Sequence, residues 1–178
     1  MLRHPASTGE AASRVEVTAW RPQHGRLALR YVIHAPTDEL KLPPMTESVR
    51  VDHLWRHTCL EAFIRPTAGE VYYELNLSPS TRWAAYCFDG YRAEMADLDV
   101  PPPQIESRAY PDRHELEALV DLSGIPAFGG SDWRLALSAV VEDADGALAW
   151  WALTHPGEQP DFHNAASFIF DLPAVEPA

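Results

Sequence analysis

Lysine is almost absent from this sequence. Lys41 is the one lysine among 178 residues, and Lys and Arg together number only 14. Asp and Glu number 26, which gives a formal net charge of -12. Surfaces that bind phosphate groups need clustered Lys and Arg. We therefore expect neither nucleic acid nor an anionic membrane as a partner.

Cysteine and long apolar runs are also scarce. Cys59 and Cys87 are the two cysteines, each within a predicted strand, so a disulfide framework is not indicated, although one bridge stays open. We expect buried, reduced thiols. No segment approaches the ~18 apolar residues of a membrane span, and the first fourteen residues lack the apolar region of a signal peptide. These features predict a cytoplasmic protein.

Helical periodicity is lacking as well, because alternation of apolar and polar residues with period two dominates the chain. About ten short strands without an internal repeat are typical of an all-β fold, an antiparallel two-sheet sandwich or jelly roll. The length suits one domain covering residues 1–178, with a core from about 14 to 172. The predicted strands are 14–20, 26–34, three within 59–88, 105–110, 114–122, 133–143, 147–153 and 168–172.

Two of these strands combine a plain apolar face with an unusual opposite face. Side chains alternate across a sheet, so Glu61 is separated from Leu60, and Glu74 and Asn76 are separated from Leu75. A sheet packed on one side shows water a polar face, which would leave both acids merely solvated. Their neighbours, however, are Phe and Tyr, whereas solvated faces are usually rich in Lys, Ser and Thr.

Aromatic side chains beside fixed hydrogen-bond acceptors predict a sugar-binding surface. Pyranose rings pack their C–H faces on Trp or Tyr, and their hydroxyls need carboxylates, amides and guanidinium groups. Trp150 and Trp151 are consecutive in a strand and therefore point to opposite faces of the sheet. The face to which Arg82 points depends on the register between strands, which the sequence does not fix. A Trp side chain taken alone is more often part of the hydrophobic core than a surface on which a sugar stacks. The predicted binding residues are Trp55, Glu61, Glu74, Asn76, Arg82 and Trp151.

Three segments carry a family resemblance: DHLWRHTCLEAFIRP, VYYELNLSPSTRWAAYCFDGYR and HPGEQPDFHNAASFIFDL. They resemble the DOMON-like domain proteins of bacteria, a group similar to family 9 carbohydrate-binding modules, from about residue 14 to 172. The resemblance implies a jelly-roll β-sandwich whose relatives bind sugars or haem. In the carbohydrate-binding relatives a Trp before the Glu-containing strand stacks on sugar, and the Glu and a downstream Arg bind hydroxyls. Trp55, Glu61 and Arg82 match that order.

Two other clusters could hold a metal. His155, Asp161 and His163 lie in one loop, but their spacing fits no zinc pattern, and bracing of a Pro-rich loop explains them better. The segment EDADG from Glu142 resembles the start of a calcium loop without its full pattern, and a hairpin turn is the better interpretation. We predict no metal site, with calcium left open.

Haem and catalysis are the rival functions. Met45 and Met95 lie in predicted loops, and no CxxCH motif is present, so haem ligands do not stand out. Glu61 and Glu74 could form a glycosidase pair, which nothing in the sequence distinguishes from two binding acids. We predict a non-catalytic domain that binds a small ligand, a saccharide, with haem binding as the first alternative, glycoside chemistry as the second, and a protein partner still open.

Overall fold

The computed structural model describes residues 1–66 and 69–175. Within them the chain forms twelve strands and four 3-10 helices of three residues each. None of these helices is long and apolar enough to cross a membrane. The helices are Thr37–Glu39, Leu54–Arg56, Pro126–Phe128 and Ala165–Ser167. The strands are β1 (Leu2–Arg3), β2 (Arg14–Trp20), β3 (Arg26–His34), β4 (Cys59–Pro66), β5 (Tyr72–Leu77), β6 (Trp83–Phe88), β7 (Ala96–Asp97), β8 (Gln104–Tyr110), β9 (Arg113–Asp121), β10 (Trp133–Glu142), β11 (Leu148–Ala152) and β12 (Phe170–Leu172).

The strands form two antiparallel sheets, which confirms the predicted fold. The small sheet has the order β2-β3-β9-β8, and the large sheet has the order β1-β11-β10-β4-β5-β6-β7. Strand β4 occupies one edge of β10 along residues 133–140. On the opposite edge β11 pairs with residues 138–142 and β12 with residues 133–135, so these two strands follow one another along β10.

One hydrophobic core lies between the sheets. Leu29 and Tyr31 reach it from β3, and Leu60, Leu75 and Leu137 reach it from the large sheet. These side chains are fully or almost fully buried, and the period-two alternation that places them there is the one visible in the sequence. The Tyr31 hydroxyl donates a 2.7 Å hydrogen bond to the backbone oxygen of residue 61, which ties β3 to β4.

A second, smaller hydrophobic cluster lies on the outer face of the large sheet. Phe63, Tyr72 and Phe88 pack there with Phe168, which comes from the loop before β12. The rings of Tyr72 and Phe88 are stacked with centroids 4.8 Å apart. The outer face is therefore covered by side chains and loops rather than left to solvent.

The structure adds two strands that the sequence pattern does not predict. Strands β1 and β7 have two residues each, too few for an alternation to be visible. The turn after Glu142 is a hairpin, as predicted, with Gly146 at φ 91°. Cys59 and Cys87 are free thiols, also as predicted.

Candidate functional site

A cavity of about 660 Å³ lies on the outer face of the large sheet. Its floor consists of side chains from β4, β5, β6 and β10, and its walls come from the segments around residues 52–55, 92–97 and 160–163. Six of the sixteen lining residues are aromatic, which suits a ligand with apolar surface. The aromatic residues that line it are Trp55, Phe63, Tyr86, Phe88, Trp150 and Phe162.

Strand register brings the two predicted acids together on the cavity floor. The pairing of β4 with β5 sets Glu61 opposite Asn76 and Phe63 opposite Glu74. Glu61 and Glu74 are thus diagonal neighbours, about 7–8 Å apart at the backbone and within reach of each other through long side chains. Both line the cavity.

Both carboxyl groups are buried, so they do not belong to a solvated sheet face. Glu61 is 2% exposed and Glu74 is 6% exposed. Burial raises the pKa of Glu61 to about 8, with repulsion from Glu74 as the second cause. Burial also raises the pKa of Glu74 to about 7. The cavity floor therefore retains protons that exposed carboxyl groups lose at neutral pH.

Each acid has one hydrogen-bond donor from the sheet. The Ser138 hydroxyl donates to Oε2 of Glu61 at 3.1 Å. The amide of Asn76 donates to Oε1 of Glu74 at 2.7 Å. Asn76 is completely buried and is not among the lining side chains. The structure therefore gives Asn76 a positioning role beneath Glu74, while direct ligand contact by Asn76 stays a prediction.

His163 stands beside Glu74 as a neutral side chain. Burial, followed by the positive charge of Arg92, lowers the pKa of His163 to about 4. The hydroxyl of Tyr72 accepts the Arg92 backbone N–H at 3.1 Å, so its own proton can go to Nδ1 of His163 at 2.8 Å. The histidine proton then lies on Nε2, which is 3.8 Å from Oε2 of Glu74.

Asp161 links two loops at the cavity wall. Its Oδ1 accepts from the guanidinium of Arg92 at 3.1 Å, and its Oδ2 accepts from the hydroxyl of Tyr91 at 2.9 Å. Oδ1 also accepts the backbone N–H of His163 at 3.2 Å, which confirms the predicted bracing of this loop. The same contacts place Arg92 and His163 in the cavity lining, a role that the sequence did not predict.

Of the two neighbouring tryptophans on β11, Trp150 faces the cavity and the prediction of Trp151 is wrong. Trp151 pairs with Ala139 and is buried in the core between the sheets. Trp150 pairs with Val140, and both line the cavity. At the opposite wall Trp55 lies in the short helix Leu54–Arg56 and is 48% exposed.

Arg82 is not brought to the cavity. It is exposed in the turn between β5 and β6 and is not one of the lining residues. Arg92 is the guanidinium that lines the cavity instead. Its backbone has a φ of 52°, a left-handed conformation that is uncommon outside glycine.

His163 and Met95, residue types that can bind haem iron, both line the cavity. Nδ1 of His163 is hydrogen-bonded to Tyr72, and Nε2 lies 3.8 Å from Oε2 of Glu74. Two buried carboxyl groups on the floor oppose the insertion of an apolar macrocycle.

Calcium does not fit the turn after Glu142. The carboxyl group of Glu142 is bound by Lys41 and His57, each at 2.7 Å. Asp143 Oδ2 accepts the backbone N–H groups of Glu10 and Ala11. Among the described residues no group of three or more His, Cys, Asp and Glu side chains could hold a metal ion.

Comparison with solved structures identifies the fold class. A Bacteroides uniformis protein to which carbohydrate binding has been ascribed is similar over 90% of this chain and 78% of its own, with a TM-score of 0.66 and 15% identity. A family 9 carbohydrate-binding module from Caldicellulosiruptor kristjanssonii, in complex with cellotriose, covers 98% of this chain and 94% of its own, with a TM-score of 0.53 and 14% identity. The sequence matches no family model and no curated protein. The chain is thus a β-sandwich similar to that of family 9 carbohydrate-binding modules.

Proposed function

We propose that this protein binds a saccharide in the cavity on the outer face of its large sheet, without catalysing its conversion. The observation that carries the proposal is that Trp55 and Trp150 line the same cavity as Glu61 and Glu74. Aromatic rings offer packing surfaces to the C–H faces of a sugar, and the carboxyl groups offer hydrogen bonds to its hydroxyls.

The structural neighbours support the same proposal. One is a protein to which carbohydrate binding has been ascribed, and the other is a carbohydrate-binding module in complex with cellotriose. Their low identity to this chain leaves the ligand to be argued from the cavity itself. A concave site with apolar and aromatic walls and a few placed polar groups is the usual form of a small-molecule site.

Binding accounts for the two acids better than glycoside hydrolysis does. A glycosidase of either stereochemistry needs one ionised carboxylate as nucleophile or base and one carboxylic acid as proton donor. In this cavity burial raises the pKa of both Glu61 and Glu74. At neutral pH Glu61 is mostly protonated and Glu74 is only partly ionised, whereas both can exchange hydrogen bonds with sugar hydroxyls in either state.

A thermal-shift screen tests the proposal. A ligand that binds only the folded state raises the melting temperature, and the rise grows with the logarithm of the ligand concentration over Kd. We expect a rise with at least one hexose or β-linked glucan, and none with haemin or calcium chloride. The absence of any shift across neutral, acidic and amino saccharides would contradict saccharide binding, and a Soret band retained on gel filtration would favour haem.

Two tryptophan variants supply a matched control. Trp55→Ala and Trp20→Ala each remove a half-exposed indole, since Trp55 is 48% exposed and Trp20 is 42% exposed. Trp20 lies on β2 of the small sheet, away from the cavity. We expect Trp55→Ala to lose affinity and Trp20→Ala to keep it. Equal affinity of both variants for the same saccharide would remove Trp55 from the site.

A further inference from the structure

The cavity is lined by more carboxyl groups than the binding of a neutral sugar requires. Four carboxyl groups line it, whereas Arg92 is the one Arg or Lys side chain among the lining residues that the structure describes. Two of the four have other partners: Asp97 contacts Arg50 at 2.8 Å, and Asp52 accepts from the Tyr86 hydroxyl at 2.7 Å. Glu61 and Glu74 accept from Ser138 and Asn76, and neither forms an ion pair with an Arg or Lys side chain of the described residues.

Glu61 has an oxygen that faces the cavity without a donor. Its Oε2 accepts from Ser138, but no residue in the described part of the chain donates to its Oε1. The residue is 98% buried and lines the cavity. An oxygen that opens into the cavity is available to a hydrogen-bond donor on a ligand.

The cations nearest to the acid pair are already engaged. The guanidinium of Arg92 donates to Asp161, and His163 is held neutral by its burial and by Tyr72. His53 also lines the cavity, but it lies at the outer wall beside Trp55, with ring centroids 6.1 Å apart. The charge of Arg92 favours the ionised form of both floor acids, but Arg92 forms no ion pair with either of them.

We propose that the saccharide bound here is an amino sugar, whose ammonium group binds between Glu61 and Glu74; this rests on the proposed function. An ammonium group has three N–H donors and accepts nothing, which matches two carboxylates that need donors. Its hydrogen bonds to carboxylates are charge-assisted and stronger than those of a hydroxyl. The surrounding rings of Phe63, Tyr86 and Phe88 also attract a cation over their faces.

The charge of the whole molecule favours the same ligand. A net charge of -12 attracts cations from solution and raises their local concentration. A neutral sugar gains nothing from this field, and an acidic sugar is repelled by it. A neutral sugar in the cavity would also leave Glu61 and Glu74 without a counter-ion, so they would have to stay protonated.

Matched sugars provide the test. Glucose, galactose and mannose are compared with their 2-amino and 2-acetamido derivatives by titration calorimetry at pH 7. Within each set the ring is the same, the amine adds a charge, and the acetamide removes it again. We expect at least one amine to bind at least tenfold more tightly than both its parent sugar and its acetamido derivative.

Two double variants separate local recognition from general attraction. Glu61→Gln with Glu74→Gln should abolish the preference for the amine. Glu106→Gln with Glu117→Gln removes the same two formal charges from exposed positions of the small sheet and should keep the preference. A preference that survives in the first variant, or parent sugars that bind as tightly as amines, would overturn the amino-sugar inference and leave the proposed function standing. Failure of every sugar to bind would contradict the proposed function and the inference with it.

Discussion

The two faces of the large sheet are built by the same strands but have different chemistry. On the inner face Leu60 and Leu75 are completely buried in an apolar core. On the outer face Glu61 and Glu74 are almost as deeply buried, among aromatic rings. A buried apolar side chain stabilises the fold, whereas a buried carboxyl group costs free energy until a partner arrives. Adjacent residues in β4 thus serve stability and binding separately.

The largest effect is expected from the inner face. Leu60→Ala removes core volume next to β5 and should lower the free energy of unfolding by ~2–5 kcal/mol. Affinity for the saccharide should be preserved in the molecules that remain folded, because this side chain does not line the cavity. Urea unfolding and titration below the midpoint measure the two quantities. A loss of affinity without a loss of stability would reverse the assignment of the faces.

The matched change on the outer face is Glu61→Gln. It keeps the shape of the side chain but removes the acid that ionises opposite a bound ammonium group, so binding of an amino sugar should weaken by about 1.5–3 kcal/mol, the range for hydrogen bonds to charged groups. Stability near neutral pH should stay the same or rise, since a buried charge no longer needs to be neutralised. A variant that unfolds early but binds like the wild type would show that Glu61 belongs to the core.

The outer face also predicts a pH dependence. Glu61 and Glu74 have pKa values of about 8 and about 7 in the folded protein, above the ordinary glutamate value of about 4.3. Between about pH 4.3 and 8 the folded state therefore binds more protons than the unfolded state. The stability that Glu61 and Glu74 contribute in this way is lost as pH rises from about 4.5 to 8. His114 and His163 have pKa values of about 4 in the folded protein, so the stability that they contribute is lost in the opposite direction, as pH falls from about 6.5 to 4.

A difference between variants isolates the carboxyl contribution. The unfolding free energy of Glu61→Gln minus that of the wild type should increase by roughly 3–4 kcal/mol from pH 5 to pH 8, because the folded-state pKa of Glu61 is about 8. The histidine contribution cancels in this subtraction because both proteins contain it. A difference that stays flat over this range would mean that Glu61 titrates like an exposed carboxyl group.

Much of this comparison is visible in the sequence, because alternation is a local property. The strand 59–66 has an apolar set and a mixed set, and the structure confirms that they lie on opposite faces. Strand β11 offers no such contrast, since Ala149, Trp150, Trp151 and Ala152 are apolar on both faces. Pairing with β10 decides which face of the sheet each tryptophan occupies, so the sequence alone does not show that Trp150, and not Trp151, lines the cavity.

The loop residues of the site are not visible in the sequence, because they depend on long-range contacts. Arg92 reaches the cavity through a left-handed backbone conformation and a bond to Asp161, 69 positions further along the chain. No local pattern predicts that meeting. Arg82, which matched the order of a known family, instead lies in an exposed turn.

The smallest effect is expected from the loop contact. Asp161→Asn removes the ion pair with Arg92 at 3.1 Å. Partly exposed pairs of this kind contribute about 0.2–1 kcal/mol, so affinity should fall only slightly and stability should hardly change. Titration and urea unfolding of this variant show whether the loops or the sheet face dominate binding. A loss larger than that of Glu61→Gln would place the main determinant in the loops.

The six tryptophans allow the central claim to be tested in one measurement. Their indole N–H signals in a nitrogen–proton NMR spectrum can be assigned by single Trp→Phe substitutions. Trp55 and Trp150 line the cavity, Trp83, Trp133 and Trp151 are buried in the core, and Trp20 lies on the small sheet. Addition of a saccharide that raises the melting temperature should shift the signals of Trp55 and Trp150 most. A shift confined to Trp20, or none at Trp55 and Trp150 on saturation, would contradict binding in the cavity.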